Sequence, residues 1–184
     1  VAVAVFFALR ISNGEVPEEL VQVTGENVVS TEPAIEVLQE NILMEENTNS
    51  ELYTLVATYY NAYTTGDVDT IKNVTNFLDE TDEIKIPEMS QYIESYPQIT
   101  IYTKPGPIEN SYMVFAYTEV QMAGYDKAAV PGLATFYVCQ NEEGKYYINI
   151  QEELDEDVAA YIETIDLQDD VIDLNNKVTV DFNN

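Results

Sequence analysis

The sequence predicts an α+β fold: three N-terminal helices packed on a curved antiparallel sheet of about four strands, with C-terminal helices after it. Two observations carry this prediction. Between Ile99 and Ile150, four apolar runs (99–103, 111–122, 133–140 and 145–150) alternate with the turn-forming strings KPGPIEN, AGYDKAAVPG and NEEG, the signature of strands joined by reversals. Upstream, over residues 50–96, apolar side chains recur instead at three- and four-residue spacing, the helical period. With 184 residues, 46% of them hydrophobic, the chain is long enough and apolar enough to bury one core.

The chain opens with VAVAVFFAL (1–9), uniformly apolar, then Arg10 and an acidic, turn-prone segment. Nine residues fall short of the roughly 20 that a bilayer-spanning helix needs. Residues 1–11 therefore read as the stump of a transmembrane helix or as a short buried strand, and the stump is the preferred reading. Residues 12–48 read as a tether or lead-in. Within AIEVLQENILMEE (34–46), Ile35, Leu38 and Ile42 have helical spacing that Val37 and Leu43 interrupt, so a docked helix and an extended strand both fit. Residues 49–184 form the domain.

The first helix is expected over Ser50–Thr65, where Leu52, Leu55, Val56, Tyr59, Tyr60 and Tyr63 share one broad face. Asn49 or Ser50 can cap its start, and Gly66 supplies the left-handed residue that ends it. Asp67 caps a second helix with Val68, Ile71, Val74 and Leu78 inward, and the acidic DETDE (79–83) stops it. A third helix, Pro87–Tyr96, starts on its proline and buries Met89, Tyr92, Ile93 and Tyr96. In the longest strand Tyr112, Val114, Ala116, Val120 and Met122 share one face, and Met113, Phe115, Tyr117 and Glu119 the other. Both faces are largely apolar, so both need cover. The helices supply one; a ligand cavity, a partner subunit or the N-terminal segment could meet the second. After the sheet, a helix is expected over about 153–165 with Leu154, Val158, Ile162 and Ile165 inward, and another over about 168–176. The closing KVTVDFNN reads as a short strand.

Three stretches carry a family resemblance. LVATYYNAYTTGDVDTIKNVTNFLD (55–79) resembles the opening helix pair of the nuclear-transport-factor-2-like, cystatin-like cone fold, with its aromatic-rich helix and Gly-Asp turn. YIESYPQITIYTKPGPIENSYMVFAYTEV (92–120) and VPGLATFYVCQNEEGKYYINI (130–150) resemble a branch of that fold from Gram-positive gut bacteria. The resemblance covers roughly 50–176. It implies a domain carried outside the cell on one N-terminal transmembrane helix; that branch has no established catalytic residues to carry over, and the fold hosts enzymes and non-enzymes alike.

Composition narrows the chemistry. Against 34 Asp and Glu there are 7 Lys and Arg, a formal net charge of −27, which repels nucleic-acid phosphates and anionic lipid. No nucleic-acid partner is expected. There is no His, which removes Ser-His and Cys-His catalysis and the commonest zinc ligand. The lone Cys139, inside an apolar strand, reads as a core residue. The acidic strings 155–158 and 166–173 lack the turn and terminal Glu of a calcium loop, so they read as solvated faces, and neither a metal nor a cofactor is expected. The candidate general bases are Glu119, on the strand face shared with Phe115 and Tyr117, and Glu94, placed on the third helix. The candidate ligand-binding residues are Tyr59, Tyr63, Tyr92, Tyr102, Tyr117 and Tyr137, able to line an apolar cavity with a few inward hydroxyls; the same spacing also suits core and rim residues. The functional expectation is a non-enzymatic extracytoplasmic module that binds a small ligand or a protein and is held to the membrane by its N-terminal segment. The alternatives are an isomerase- or cyclase-type enzyme using a cavity carboxylate, and a structural subunit or homo-oligomer assembled through the apolar N-terminal segment.

Overall fold

The computed structural model describes residues 42–150 and 155–183. The apolar segment 1–11, most of the lead-in and Leu154 lie outside the described residues. In chain order the elements are β1 (Glu45–Glu46), α1 (Ser50–Thr65), α2 (Val68–Val74), α3 (Glu80–Ser90), β2 (Ile93–Pro105), β3 (Tyr112–Met122), β4 (Val130–Gln140), β5 (Tyr146–Ile148), α4 (Glu156–Asp166) and α5 (Asp169–Asn183). The five strands form one open antiparallel sheet in the order β1-β2-β3-β4-β5.

The first two helices follow their local chemistry. The Asn49 side chain accepts from the N–H groups of Glu51 and Leu52, and Gly66 takes φ +68° to end α1. All six expected inward residues of α1 are buried, with Ala62 beside them. Asp67 caps α2 by accepting from the Thr70 N–H. α2 stops at Val74 because Thr75 turns extended and bridges Ile148 of β5, leaving Leu78 half-buried in the loop beyond.

The third helix lies earlier than expected. Asp79 accepts from the Asp82 N–H at 2.7 Å, and Glu80, Asp82 and Glu83 occupy the first turn. Acidic side chains favour a helix N-terminus, where the backbone dipole is positive, so DETDE starts α3 instead of stopping α2. Pro87 sits inside α3, three residues before its end. Ile86 is the buried residue of this helix, Tyr92 is 61% exposed, and Ile93 already belongs to β2. β2 therefore starts six residues before the run 99–103. Its first part carries register shifts between Ile93 and Ser95 and between Ser95 and Gln98. These bulges and Pro97 fall beyond the reach of β1 and blunt the outer edge.

The sheet has two cores. On one face Val114, Ala116, Val120, Ile101, Phe136, Val138 and Ile148 meet α1, α2 and α3. On the other, Met113, Phe115, Tyr137 and Cys139 meet Ile162 and Ile165 of α4 and Val171 and Leu174 of α5. The C-terminal helices are what covers the second face. Residues 177–183 of KVTVDFNN are helical, not a strand: Val178 extends the buried stripe of Val171 and Leu174 by one turn. Asn175, Thr179 and Asn183 each donate to the carbonyl four residues back, a bond only a helix permits. The alternation of Val and Thr in this string satisfies a strand period as well, so the local pattern alone misleads.

Candidate functional site

The space between α1 and the sheet is filled by aromatic rings. Tyr59, Tyr60 and Tyr63 project from α1, Tyr96 from β2 and Phe136 from β4. Ring centroids lie 5.4 Å apart for Tyr59 with Phe136, 5.4 Å for Tyr59 with Tyr63, and 4.7 Å for Tyr60 with Tyr96. These are the separations of packed tilted and edge-on pairs. Burial is the first cause of the raised pKa of all four tyrosines; the hydroxyl of Tyr96 is pushed up to about 12. The Tyr96 hydroxyl is buried without a hydrogen-bond partner. At the rim of this layer, Asp82 of α3 acts electrostatically on Tyr59 and Tyr63. Its own carboxyl is held above the usual range by desolvation first and by Asp79 second.

The six tyrosines singled out in the sequence do not share one cavity. Tyr59 and Tyr63 belong to the layer under α1. Tyr137 is buried in the second core and Tyr102 packs against it. Tyr117, buried beneath the Lys177 ammonium at 5.9 Å, lies on that same second face. Tyr92 is exposed between α3 and β2. Of the two carboxylates, Glu119 is half-buried on the second face, accepting a long 3.4 Å hydrogen bond from the Tyr117 hydroxyl. Glu94 is in β2, not on a helix, and is exposed. Cys139 is a buried free thiol.

A buried ion pair joins the lead-in to the body. Lys104, 1% exposed, stands opposite Met113 on the second face. Its ammonium donates to Asp170 Oδ2 at 2.8 Å, Gln168 Oε1 at 2.6 Å and the Ile42 carbonyl at 2.7 Å, so all three donors are used. Asp170 Oδ2 also accepts from the Met44 N–H at 3.0 Å. Burial alone would raise the Asp170 carboxyl, but the bonds from Lys104, Met44 and Val171 and the lysine charge outweigh it and lower its pKa. Three distant segments meet here: residues 42–44, the end of β2 and the start of α5.

Sequence reasoning missed Lys104, Asp170, Asp82, Tyr60 and Tyr96 as site residues. A signal existed for Lys104, a lone cation in phase with Tyr102 on an apolar strand, but KPGP (104–107) reads locally as a turn. Lys104 and Pro105 instead complete β2, and the reversal begins at Gly106, whose N–H donates to the Ser111 carbonyl. Among the described residues no group of three or more acidic or Cys side chains could hold a metal ion, and no helix is long and apolar enough to cross a membrane. Comparison with family models, with curated proteins and with solved structures finds no match for this chain.

Proposed function

We propose that the chain is a non-catalytic binding module, displayed outside the cell on an N-terminal membrane tether. The observation that carries the non-catalytic part is the packed tyrosine layer. A carbon-acid isomerase needs a carboxylate base facing an apolar cavity large enough for substrate. Here rings occupy the space under α1, Glu119 lies across the sheet from it, and Glu94 is exposed. The tether reading rests on the uniformly apolar run of residues 1–9.

One observation favours the enzymatic reading: Asp82, with its raised carboxyl, borders Tyr59 and Tyr63, and a carboxyl beside phenol donors is the pairing a proton-transfer site uses. A single assay separates the two. Incubation with a β,γ-unsaturated ketone should give isomerisation at the buffer rate. Acceleration that disappears in Asp82→Asn would refute the non-catalytic reading. Display is tested by protease treatment of intact cells carrying a C-terminally tagged chain: the tag should be removed, and a protected tag would sink the extracytoplasmic assignment.

A further inference from the structure

A polar hollow of about 230 Å³ lies on the β5 edge, between the end of α2 and the β4–β5 hairpin. Asn73, Thr75 and Asn76 form one wall, Asn141 and Lys145 the other, and Tyr146 and Tyr147 the floor. The walls are fixed by hydrogen bonds. Asn76 Nδ2 donates to Asn149 Oδ1 at 2.8 Å, and its Oδ1 accepts from the Ile150 N–H. Asn141 Oδ1 accepts from the N–H groups of Glu143 and Lys145, and the Gly144 N–H donates to the Asn141 carbonyl at 2.9 Å.

The hydrogen bonds left over define what could bind. Because two backbone N–H groups hold Asn141 Oδ1, its amide orientation is set and Nδ2 keeps both donors free. Among the described residues, the Lys145 ammonium has no carboxylate within ion-pair distance, and the Asn73 amide has no partner. The hollow therefore offers several donors and one amide acceptor along the edge of β5, where the Tyr146 and Tyr147 rings turn to opposite faces of the sheet. Among the described residues no carboxylate lines it, so these offer nothing to hold a hard cation. The chain's charge of −27, with Glu142 and Glu143 on the adjoining turn, disfavours an anion. What remains is a neutral ligand dense in hydroxyls. The volume is below the roughly 300–1,000 Å³ of drug-sized sites, which limits the fit to about one ring. We propose that this hollow binds one ring of a neutral saccharide, with Lys145, Asn141 and Asn73 engaging its hydroxyl and carbonyl oxygens.

This deepens the binding-module reading and rests on it for its purpose, though the two fail separately. The test titrates the whole chain with N-acetylglucosamine, following backbone and side-chain amide signals by NMR. The expected result is saturable shifts at Asn73, Asn141, Lys145 and Tyr147, with Kd on the order of 1 mM or weaker. Asn141→Asp keeps the oxygen that closes the hairpin but replaces the amide donor with a charge, and Lys145→Met removes the ammonium. Each should weaken binding at least about tenfold while leaving the remaining spectrum unchanged. Absence of shifts at tens of millimolar sugar, undiminished binding in both variants, or tighter binding of glucuronate than of the neutral sugar would each overturn the proposal. Conversion of the sugar in the same tube would refute the non-catalytic reading instead and leave the site standing.

Discussion

Replacing Lys104 with Met tests whether the clasp holds the lead-in to the body. Methionine keeps most of the apolar stem but removes the ammonium, leaving the Gln168 and Ile42 oxygens without their donor and Asp170 without its counter-charge. Breaking a buried ion pair from one side costs about 3–5 kcal/mol. The Asp170 side chain is 19% exposed and retains the N–H bonds from Met44 and Val171, which places the cost at the lower end, about 3 kcal/mol. At a urea slope of about 2 kcal/mol/M the unfolding midpoint, followed by far-ultraviolet circular dichroism, should drop by about 1.5 M. Asp170→Leu should cost at least as much, because it strands the ammonium at a site 1% exposed. The double variant should cost less than either single change, since neither charge is then left alone. The Met44 amide should exchange with solvent faster in every variant. Singles within about 0.5 kcal/mol of the parent, or a double variant equal to the sum of the singles, would refute this account.

Other expectations follow from the same packing. Asp170 has a lowered folded pKa, so its stabilisation is present above its unfolded value of about 3.9 and is lost as pH falls through the folded one; the stability gap between the parent and Asp170→Asn should therefore narrow below about pH 4, and a constant gap contradicts it. Tyr96→Phe removes a buried hydroxyl that has no partner and should raise stability by about 1 kcal/mol; a lowered urea midpoint would count against the described layer. Gly66→Ala should destabilise by at least about 1–2 kcal/mol, because the residue sits at φ +68° and a Cβ would come within 3.1 Å of the Pro87 backbone; an unchanged thermal midpoint would contradict the close α1–α3 approach.

Elements whose determinants are local were legible in the sequence. α1 is the clearest case, since its stripe, its Asn49 cap and its Gly66 stop all lie within 18 residues and agree. β3 is similar: both of its apolar faces could be read, and with them the need for cover on each. What covers the second face was not fixed by periodicity, because Val178, Thr179 and Val180 fit a strand as well as a helix. α3 was misplaced for a related reason, since one proline can open a helix or sit within it, and the deciding Asp79 cap lay in a string read as a stop. The candidate site was least legible. Lys104 and Gln168 are 64 residues apart, and no local pattern foretells that a lone lysine will be buried against them. The six tyrosines shared a chemistry but not a location, because strand alternation sends Tyr102, Tyr117 and Tyr137 away from Tyr59 and Tyr63.

That division of the tyrosines bears on where recognition can occur. A sheet with one free face can use that face as a binding surface, and the sequence left such a face open. In the structure α4 and α5 bury Met113, Phe115 and Tyr137, while α1 and its tyrosines occupy the opposite side. Both broad surfaces are thus committed to stability among the described residues, and the bulges and Pro97 discourage a strand from adding to β2. What remains is the rim: the Asp82 border of the tyrosine layer, the lead-in end at Lys104, and the hollow between α2 and the β4–β5 hairpin. Asp82 bears an elevated carboxyl in a layer without space, and the three donors of Lys104 are all taken. The hollow alone of these three combines rigid walls with unspent hydrogen-bonding groups. For a binding module of this architecture, that makes the short-strand edge at β5, and not the sheet that organises the chain, the place where specificity is expected to reside.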